Sequence, residues 1–237
     1  MEAGVTSGAK RVGASPIKHR ICGVELALLA VVAVFLVEQR LQPSYWIKTA
    51  LKAAAFLGAI ALYAVISKQS LWETIRLRRL TKPRPLCLGM LFFFSGIVLL
   101  FVCFRGRLDL AGIKQSLMQK EKLTRQNCLF VFGYIIVCNA FLEEAFFRGF
   151  VFQLFAKKRS GALVSAVLFS LYHIGIFITW FNPFLFALCV IGLTAVGLFL
   201  QWVSGQYQSI AASYLIHACA NLAINIIGAL LIFEVWP

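Results

Sequence analysis

The chain has 237 residues, of which 61% are apolar and only 14% are charged, and its mean hydropathy is +0.85. A soluble globular domain has roughly 45–50% apolar and about 25% charged residues. The composition therefore excludes a water-soluble domain, a disordered chain and a disulfide-stapled secreted module. Because a run of about 20 apolar residues spans a bilayer as a helix, the composition predicts an all-α, polytopic transmembrane helix bundle without a separate soluble domain.

The net charge of +14 is concentrated in the segments that connect the apolar runs. Basic clusters lie within residues 10–20, 76–84 and 157–159. Short loops rich in Lys and Arg stay on the cytoplasmic side of a membrane. These clusters therefore indicate topology: we expect a cytoplasmic N-terminus and no nucleic-acid partner. The first apolar run has no small-x-small cleavage site, so we expect it to be retained as a transmembrane helix.

Seven apolar segments define the predicted organisation. They cover roughly residues 21–38, 49–67, 86–104, 128–152, 161–181, 184–202 and 209–233. Segment 105–127 is basic, although a cytoplasmic N-terminus would place this segment on the non-cytoplasmic side of the membrane. Its apolar residues at helical spacing favour an amphipathic helix that lies at the membrane interface. The alternative is a re-entrant piece or an eighth span. Three regions follow: a basic cytoplasmic leader (1–20), N-terminal transmembrane helices with the interfacial segment (21–127), and a four-helix core (128–233).

The fourth apolar segment contains three ionisable residues, Glu143, Glu144 and Arg148. Such a residue costs about 2.5–3.5 kcal/mol at the middle of a spanning helix, so it marks a candidate functional site. We therefore expect the three charges to face one another or a hydrated cavity. Positions four apart share a helix face, which predicts an ion pair between Glu144 and Arg148. Glu143 lies about 100° round the helix from Glu144, so it lacks Arg148 as a partner, and a carboxylate without a full partner suits a general base. The alternative is that Glu144 and Arg148 form a purely structural ion pair.

Two of the three histidines also lie inside apolar segments. Phe169 and His173 are four residues apart, so the phenyl ring can pack beside the imidazole. His217 and Asn221 are also four apart and project from one helix face. Counted from the cytoplasmic ends of their segments at about 1.5 Å per residue, Glu143, His173 and His217 lie at depths of about 14, 18 and 12 Å. These similar depths predict one shared cavity in the cytoplasmic half of the membrane.

Two further polar residues adjoin these motifs. Asn139 precedes Glu143 by one helical turn and is a candidate to line the same cavity. Tyr172 is the neighbour of His173, but we expect its side chain to point elsewhere. Cys219 lies two residues from His217, and positions two apart point to different sides of a helix, so we do not expect a cysteine nucleophile.

Three motifs occur in the order and approximate spacing found in the CPBP (Abi) family. They are Glu143-Glu144-x-x-x-Arg148, Phe169-x-x-x-His173 and His217-x-x-x-Asn221. The chain resembles this family, which comprises CAAX-prenyl-protease-2-like and bacteriocin-processing intramembrane proteases, over about residues 128–233. The resemblance implies a four-helix catalytic core and a membrane-embedded endopeptidase. Its substrate would be a membrane-associated protein or peptide that enters from the bilayer or its cytoplasmic edge.

The resemblance also implies a role for the residues of each motif. Glu143 would activate the attacking water, and His173 would help to hold that water. His217 and Asn221 would donate hydrogen bonds to the oxyanion that forms as the carbonyl becomes tetrahedral. Donors preorganised in a site of low dielectric are typically worth about 3–4 kcal/mol each.

Glu144 and Arg148 would shape the cavity in the same picture. Members of the family have also been interpreted as metalloproteases, and Glu143, His173 and His217 would then bind Zn²⁺ with one position open for water. The chain has no HExxH motif, and the two histidines lie on different helices. We therefore expect a glutamate mechanism without a metal or another cofactor, with zinc as the alternative.

Two other functions remain open at this point. Intramembrane Glu, His and Arg also mark ion pathways, so an ion-coupled transporter is one alternative, and a catalytically silent binding or immunity protein is the other. Eukaryotic relatives remove the last three residues of prenylated proteins, whereas bacterial relatives process or protect against various peptides. The short, compact chain favours a bacterial inner membrane. Some bacterial relatives are associated with trimming the C-terminal membrane anchors of exported proteins, so the resemblance also suggests cleavage close to the C-terminus of a membrane-anchored substrate.

Overall fold

The computed structural model describes residues 17–80, 83–155, 159–177 and 181–235, and these ranges contain helices but no strand. The helices are α1 (Ile17–Leu41), α2 (Tyr45–Ser67), α3 (Leu71–Ile75), α4 (Arg84–Arg107), α5 (Leu110–Gln119), α6 (Cys128–Leu154), α7 (Arg159–Phe177), α8 (Pro183–Tyr207) and α9 (Ile210–Ile232). Most of the predicted basic leader lies outside the described residues.

Six of these helices, α1, α2, α4, α6, α8 and α9, are long and apolar enough to cross a membrane. They correspond to six of the seven predicted segments. The remaining segment, 161–181, corresponds to α7, and residues 178–180 at its end lie outside the described residues. The predicted all-α polytopic bundle is confirmed, with six candidate spans in the described part of the chain where we had expected about seven.

Local signals set the ends of the last two long helices. The Asn182 side chain accepts a hydrogen bond from the Leu185 amide at 3.0 Å, and Pro183 occupies the first turn of α8. Ser209 caps α9 by accepting from the Ala211 amide at 3.2 Å. Such side chains satisfy amide groups that have no partner within the first helical turn. Only Gln208 and Ser209 separate the end of α8 from the start of α9, and the two helices pack as antiparallel neighbours.

The basic segment between α4 and α6 contains the amphipathic helix α5, as expected, and α5 packs against α9. Ile113 on its inner face is buried, whereas Lys114 pairs with Glu234 at 2.5 Å. Lys114, together with Arg125, holds the pKa of the exposed Glu234 carboxyl below its usual value. A location of α5 at the membrane interface stays a prediction.

Helix α6 is the most buried candidate span, and it contacts α1, α2, α3, α7, α8 and α9. Its phenylalanines form the centre of the largest apolar cluster, where the Phe146 ring stacks on that of Phe56 from α2 with 3.9 Å between centroids. Two π-helical stretches, Ile135–Asn139 and Ala145–Val151, flank a short α-helical turn. π-helical turns within α-helices are frequent at functional sites, and the turn between these two carries Glu143 and Glu144.

The short helix α3 lies directly against the second π-helical stretch of α6. A Cβ atom at Gly149 would lie 2.8 Å from the carbonyl oxygen of Ile75 and 3.1 Å from that of Thr74, so this close approach requires glycine. Gln153 donates to the carbonyl oxygens of Glu73 and Thr74 at 3.1 and 2.7 Å. Residues from the N-terminal half of the chain therefore hold the helix that carries the two glutamates.

Candidate active site

The three predicted motifs meet in the middle of the bundle. Helix α6 supplies Glu143, Glu144 and Arg148, α7 supplies His173, and α9 supplies His217 and Asn221. The first five of these side chains form one connected polar cluster. The Asn221 amide instead donates to the carbonyl oxygen of Ile135 in α6 at 3.3 Å. The spatial convergence that the similar depths predicted is thus present.

Glu144 and Arg148 form the expected ion pair, and both side chains are fully buried. One guanidinium nitrogen of Arg148 lies 3.2 Å from Oε1 of Glu144. The same carboxylate oxygen accepts a hydrogen bond from Nδ1 of His217 at 3.0 Å. Because a buried carboxylate requires charged or hydrogen-bonded partners, this pair links α6 to α9 and orients the imidazole of His217.

Oε1 of the Glu143 carboxylate is held by side chains from three helices. Asn139 from α6 donates to it at 2.8 Å, and the hydroxyl of Tyr172 from α7 donates at 3.1 Å. The ammonium of Lys52 from α2 lies 3.7 Å away. Glu143 itself is 1% exposed. Two hydrogen bonds and one cation therefore determine the orientation of the carboxylate.

Oε2 of Glu143 faces the two imidazoles, at 3.8 Å from Nε2 of His173 and 3.8 Å from Nε2 of His217. These distances are too long for a direct hydrogen bond, but one water about 2.8 Å from both atoms bridges such a gap. Nδ1 of His173 donates to the carbonyl oxygen of Phe169 at 2.7 Å, and Nδ1 of His217 donates to Glu144. With Nδ1 as the donor, Nε2 of a neutral ring is an acceptor, so both acceptors face Glu143.

The ring of Phe169 orders the groups around it. Its centroid lies 4.5 Å from that of His173, which confirms the expected packing, and 5.7 Å from that of His217. The guanidinium of Arg148 lies over the same ring at 4.1 Å, a cation–π contact that is stronger where water is excluded. One phenylalanine therefore positions both imidazoles and the buried arginine.

The structure corrects the expectation for Tyr172, adds Lys52 and confirms Asn139 as a neighbour of Glu143. Tyr172 does not point away: its hydroxyl reaches Oε1 of Glu143, whereas His173 faces Oε2. Tyr172 and His173 are adjacent on the helix, and both can contact Glu143 because its carboxylate lies between their side chains. Lys52 was missed, although it lies in the apolar segment 49–67, where the cost of an intramembrane charge also marks it. With two glutamates and one arginine, the cluster needed a second cation.

The zinc alternative requires three ligands around one point. Among the described residues, no group of three or more His, Cys, Asp or Glu side chains is arranged to hold a metal ion. Oε2 of Glu143 lies 3.8 Å from each of the histidine Nε2 atoms, farther than atoms about 2.0–2.2 Å from one tetrahedral zinc would be from each other. Zinc stays the alternative to the metal-free mechanism, and no step below uses a metal.

Residues 125–223 match the family model of the type II CAAX prenyl endopeptidases, Rce1-like. The match contains all six predicted site residues, and it does not reach Lys52 in α2. A search of curated proteins and a search of solved structures each gave no match. The match confirms the resemblance that the three motifs indicated. Residues 125–223 are therefore similar to the type II CAAX prenyl endopeptidases, a family of hydrolases, and the six long apolar helices indicate an integral multi-pass membrane protein.

Proposed function

We propose that the protein hydrolyses a peptide bond of a membrane-anchored protein or peptide with Glu143 as the general base. The observation that carries this proposal is the two-sided environment of the Glu143 carboxylate. Oε1 accepts hydrogen bonds from Asn139 and Tyr172, and Oε2 faces the Nε2 atoms of His173 and His217 at 3.8 Å each. This arrangement leaves one carboxylate oxygen to take up a proton.

A water between Oε2 of Glu143 and Nε2 of His173 donates one hydrogen to each. Its remaining lone pair is then available to attack the carbonyl carbon of the substrate, and Glu143 takes the proton as the C–O bond forms. The carbonyl oxygen becomes an oxyanion. When the C–N bond breaks, the protonated Glu143 returns the proton to the departing amine, which leaves a new carboxyl terminus and restores the base.

His217 and Asn221 are proposed to stabilise the oxyanion. A hydrogen bond from His217 to the oxyanion requires a proton on Nε2, while Nδ1 keeps its hydrogen bond to the Glu144 carboxylate. Asn221 uses one amide hydrogen for the carbonyl oxygen of Ile135 and retains a second. The Glu144–Arg148 pair thus contacts His217 on the side away from the substrate and orients its ring, which agrees with a role in shaping the site.

The proposal predicts new protein termini. Membranes that contain the wild-type protein are expected to show shortened membrane-anchored proteins, cleaved close to their C-termini, that stay intact in membranes containing the Glu143→Gln variant. Mass spectrometry of the termini of membrane proteins measures this difference and identifies the substrate. Identical termini in both samples would contradict a protease, and a difference in solute flux would then favour the transporter.

The proposal also predicts insensitivity to chelators. Because the water is activated by a carboxylate and an imidazole, EDTA and phenanthroline are expected to leave the cleavage rate unchanged. The measurement is the cleavage of a prenylated CAAX peptide by purified protein before and after incubation with each chelator. Inhibition that added zinc reverses would overturn the metal-free mechanism and restore the alternative with Glu143, His173 and His217 as zinc ligands.

The placement of the protein in its membrane is part of the proposal. The basic residues that precede α1 and those between α3 and α4 favour a cytoplasmic N-terminus. A bacterial inner membrane is the proposed location. With this orientation the substrate reaches Glu143 from the bilayer or its cytoplasmic edge.

A further inference from the structure

Lys52 contacts the site from a helix that the family match does not include. It lies on α2, and residues 125–223 are matched. Its ammonium donates to the Tyr172 hydroxyl at 2.9 Å and to the side-chain oxygen of Asn139, and it lies 3.7 Å from Oε1 of Glu143. A residue of the N-terminal half therefore contacts three side chains of the matched core.

Lys52 orients the two side chains, Asn139 and Tyr172, that donate hydrogen bonds to Glu143. The Asn139 oxygen accepts from the ammonium, so the amide nitrogen on the other side is directed at Oε1. The Tyr172 hydroxyl also accepts from the ammonium, which leaves its own hydrogen for Oε1. An ammonium only donates. It therefore excludes the opposite orientation of each group, in which the amide oxygen or the hydroxyl lone pairs would face the carboxylate.

We propose that Lys52 is a positioning residue that keeps Oε2 of Glu143 directed at the two imidazoles. This inference rests on the proposed function, because it assigns the unit that holds the general base. With Oε1 engaged by Asn139, Tyr172 and the cation, rotation of the carboxylate away from His173 costs two hydrogen bonds. Lys52 also supplies the second positive charge that the two buried glutamates need beside Arg148. The site is thus completed by α2.

Lys48 provides a matched control for this proposal. It lies one turn before Lys52 on α2 and is 4% exposed. Its ammonium pairs with Glu38 at 2.9 Å and Glu121 at 3.0 Å, and no contact joins it to Glu143 within the described residues. Replacement of either lysine by Met removes one partly or fully buried cation from the same helix, but only one of the two replacements affects the orientation of Glu143.

The experiment compares Lys52→Met with Lys48→Met by cleavage of a prenylated CAAX peptide in purified full-length protein. Lys52→Met is expected to lower kcat about 100-fold, because small displacements of a catalytic group cost about that much, while KM stays near the wild-type value. Lys52→Arg is expected to recover part of kcat. Lys48→Met is expected to keep the wild-type kcat even if its unfolding temperature falls.

Three outcomes separate the positioning role from a structural one. Wild-type kcat in Lys52→Met, with no cleavage by Glu143→Gln, would overturn the role of Lys52 and leave the general base in place. Equal losses of kcat in Lys52→Met and Lys48→Met would also overturn it. If Lys52→Met does not fold, the Tyr172→Phe variant tests the proposal instead, because it removes only the hydroxyl that Lys52 orients. A reduced kcat at unchanged KM in Tyr172→Phe supports the proposal, and a wild-type kcat overturns it. Cleavage by Glu143→Gln would instead refute the proposed function.

Discussion

Replacement of Glu143 by Gln is expected to lower the rate of peptide cleavage about 1,000-fold, because general-base catalysis contributes about 10²–10⁴-fold. The amide has nearly the shape of the carboxylate and cannot take up the proton of the attacking water. It also removes a charge from a side chain that is 1% exposed, so expression and membrane insertion are expected to remain intact. Cleavage of a prenylated CAAX peptide by the purified variant in lipid nanodiscs measures the effect.

Glu121→Gln is the matched control for this experiment. Glu121 is another glutamate paired with a lysine, in this case Lys48 at 3.0 Å, and it belongs to the segment between α5 and α6. The variant is expected to cleave at the wild-type rate. Full cleavage by Glu143→Gln would refute the assigned base, and comparable losses in both variants would point to a general effect of neutralising a glutamate that pairs with a lysine.

Replacement of Arg148 by Met is expected to destabilise the protein by about 3–5 kcal/mol, the cost of removing one partner of a buried ion pair. Arg148 and Glu144 are both 0% exposed, and the guanidinium also lies over the ring of Phe169. The variant leaves the Glu144 carboxylate buried with His217 as its remaining partner from the ion-pair network. Thermal unfolding in nanodiscs, followed by tryptophan fluorescence, is expected to show a large fall in Tm.

Two further variants test the physical reason for this loss. Glu144→Gln combined with Arg148→Met removes both charges and is expected to recover part of the stability, since the single variants share one interaction. Arg125→Met removes an arginine from an exposed pair with Glu234 and is expected to leave Tm unchanged. A Tm of Arg148→Met equal to that of Arg125→Met would contradict a stabilising role for the buried pair.

The N-terminal half of the chain has a larger part in the site than its motifs indicated. Helix α3 packs against Gly149, and α2 supplies both Phe56 for the aromatic core and Lys52 for the base. The matched core over residues 125–223 contains the side chains assigned to the chemistry. The preceding helices hold the central helix α6 and one oxygen of Glu143, so we expect both halves to be needed for activity.

The sequence by itself determined the class of fold, the three motifs and the ion pair within α6. Hydropathy specifies which segments leave water, and helical spacing specifies which side chains share a face, so Glu144 and Arg148 could be paired without coordinates. These are properties of one helix at a time.

Only the tertiary structure decided which groups meet across helices. The contact between His217 and Glu144 joins residues 73 positions apart, and that between Lys52 and Tyr172 joins residues 120 positions apart. Such contacts depend on the rotation and tilt of each helix about its neighbours, which packing of the whole bundle sets and periodicity does not record. For that reason the sequence predicted a general base at position 143, and only the packed bundle placed the hydroxyl of Tyr172 and the ammonium of Lys52 beside it.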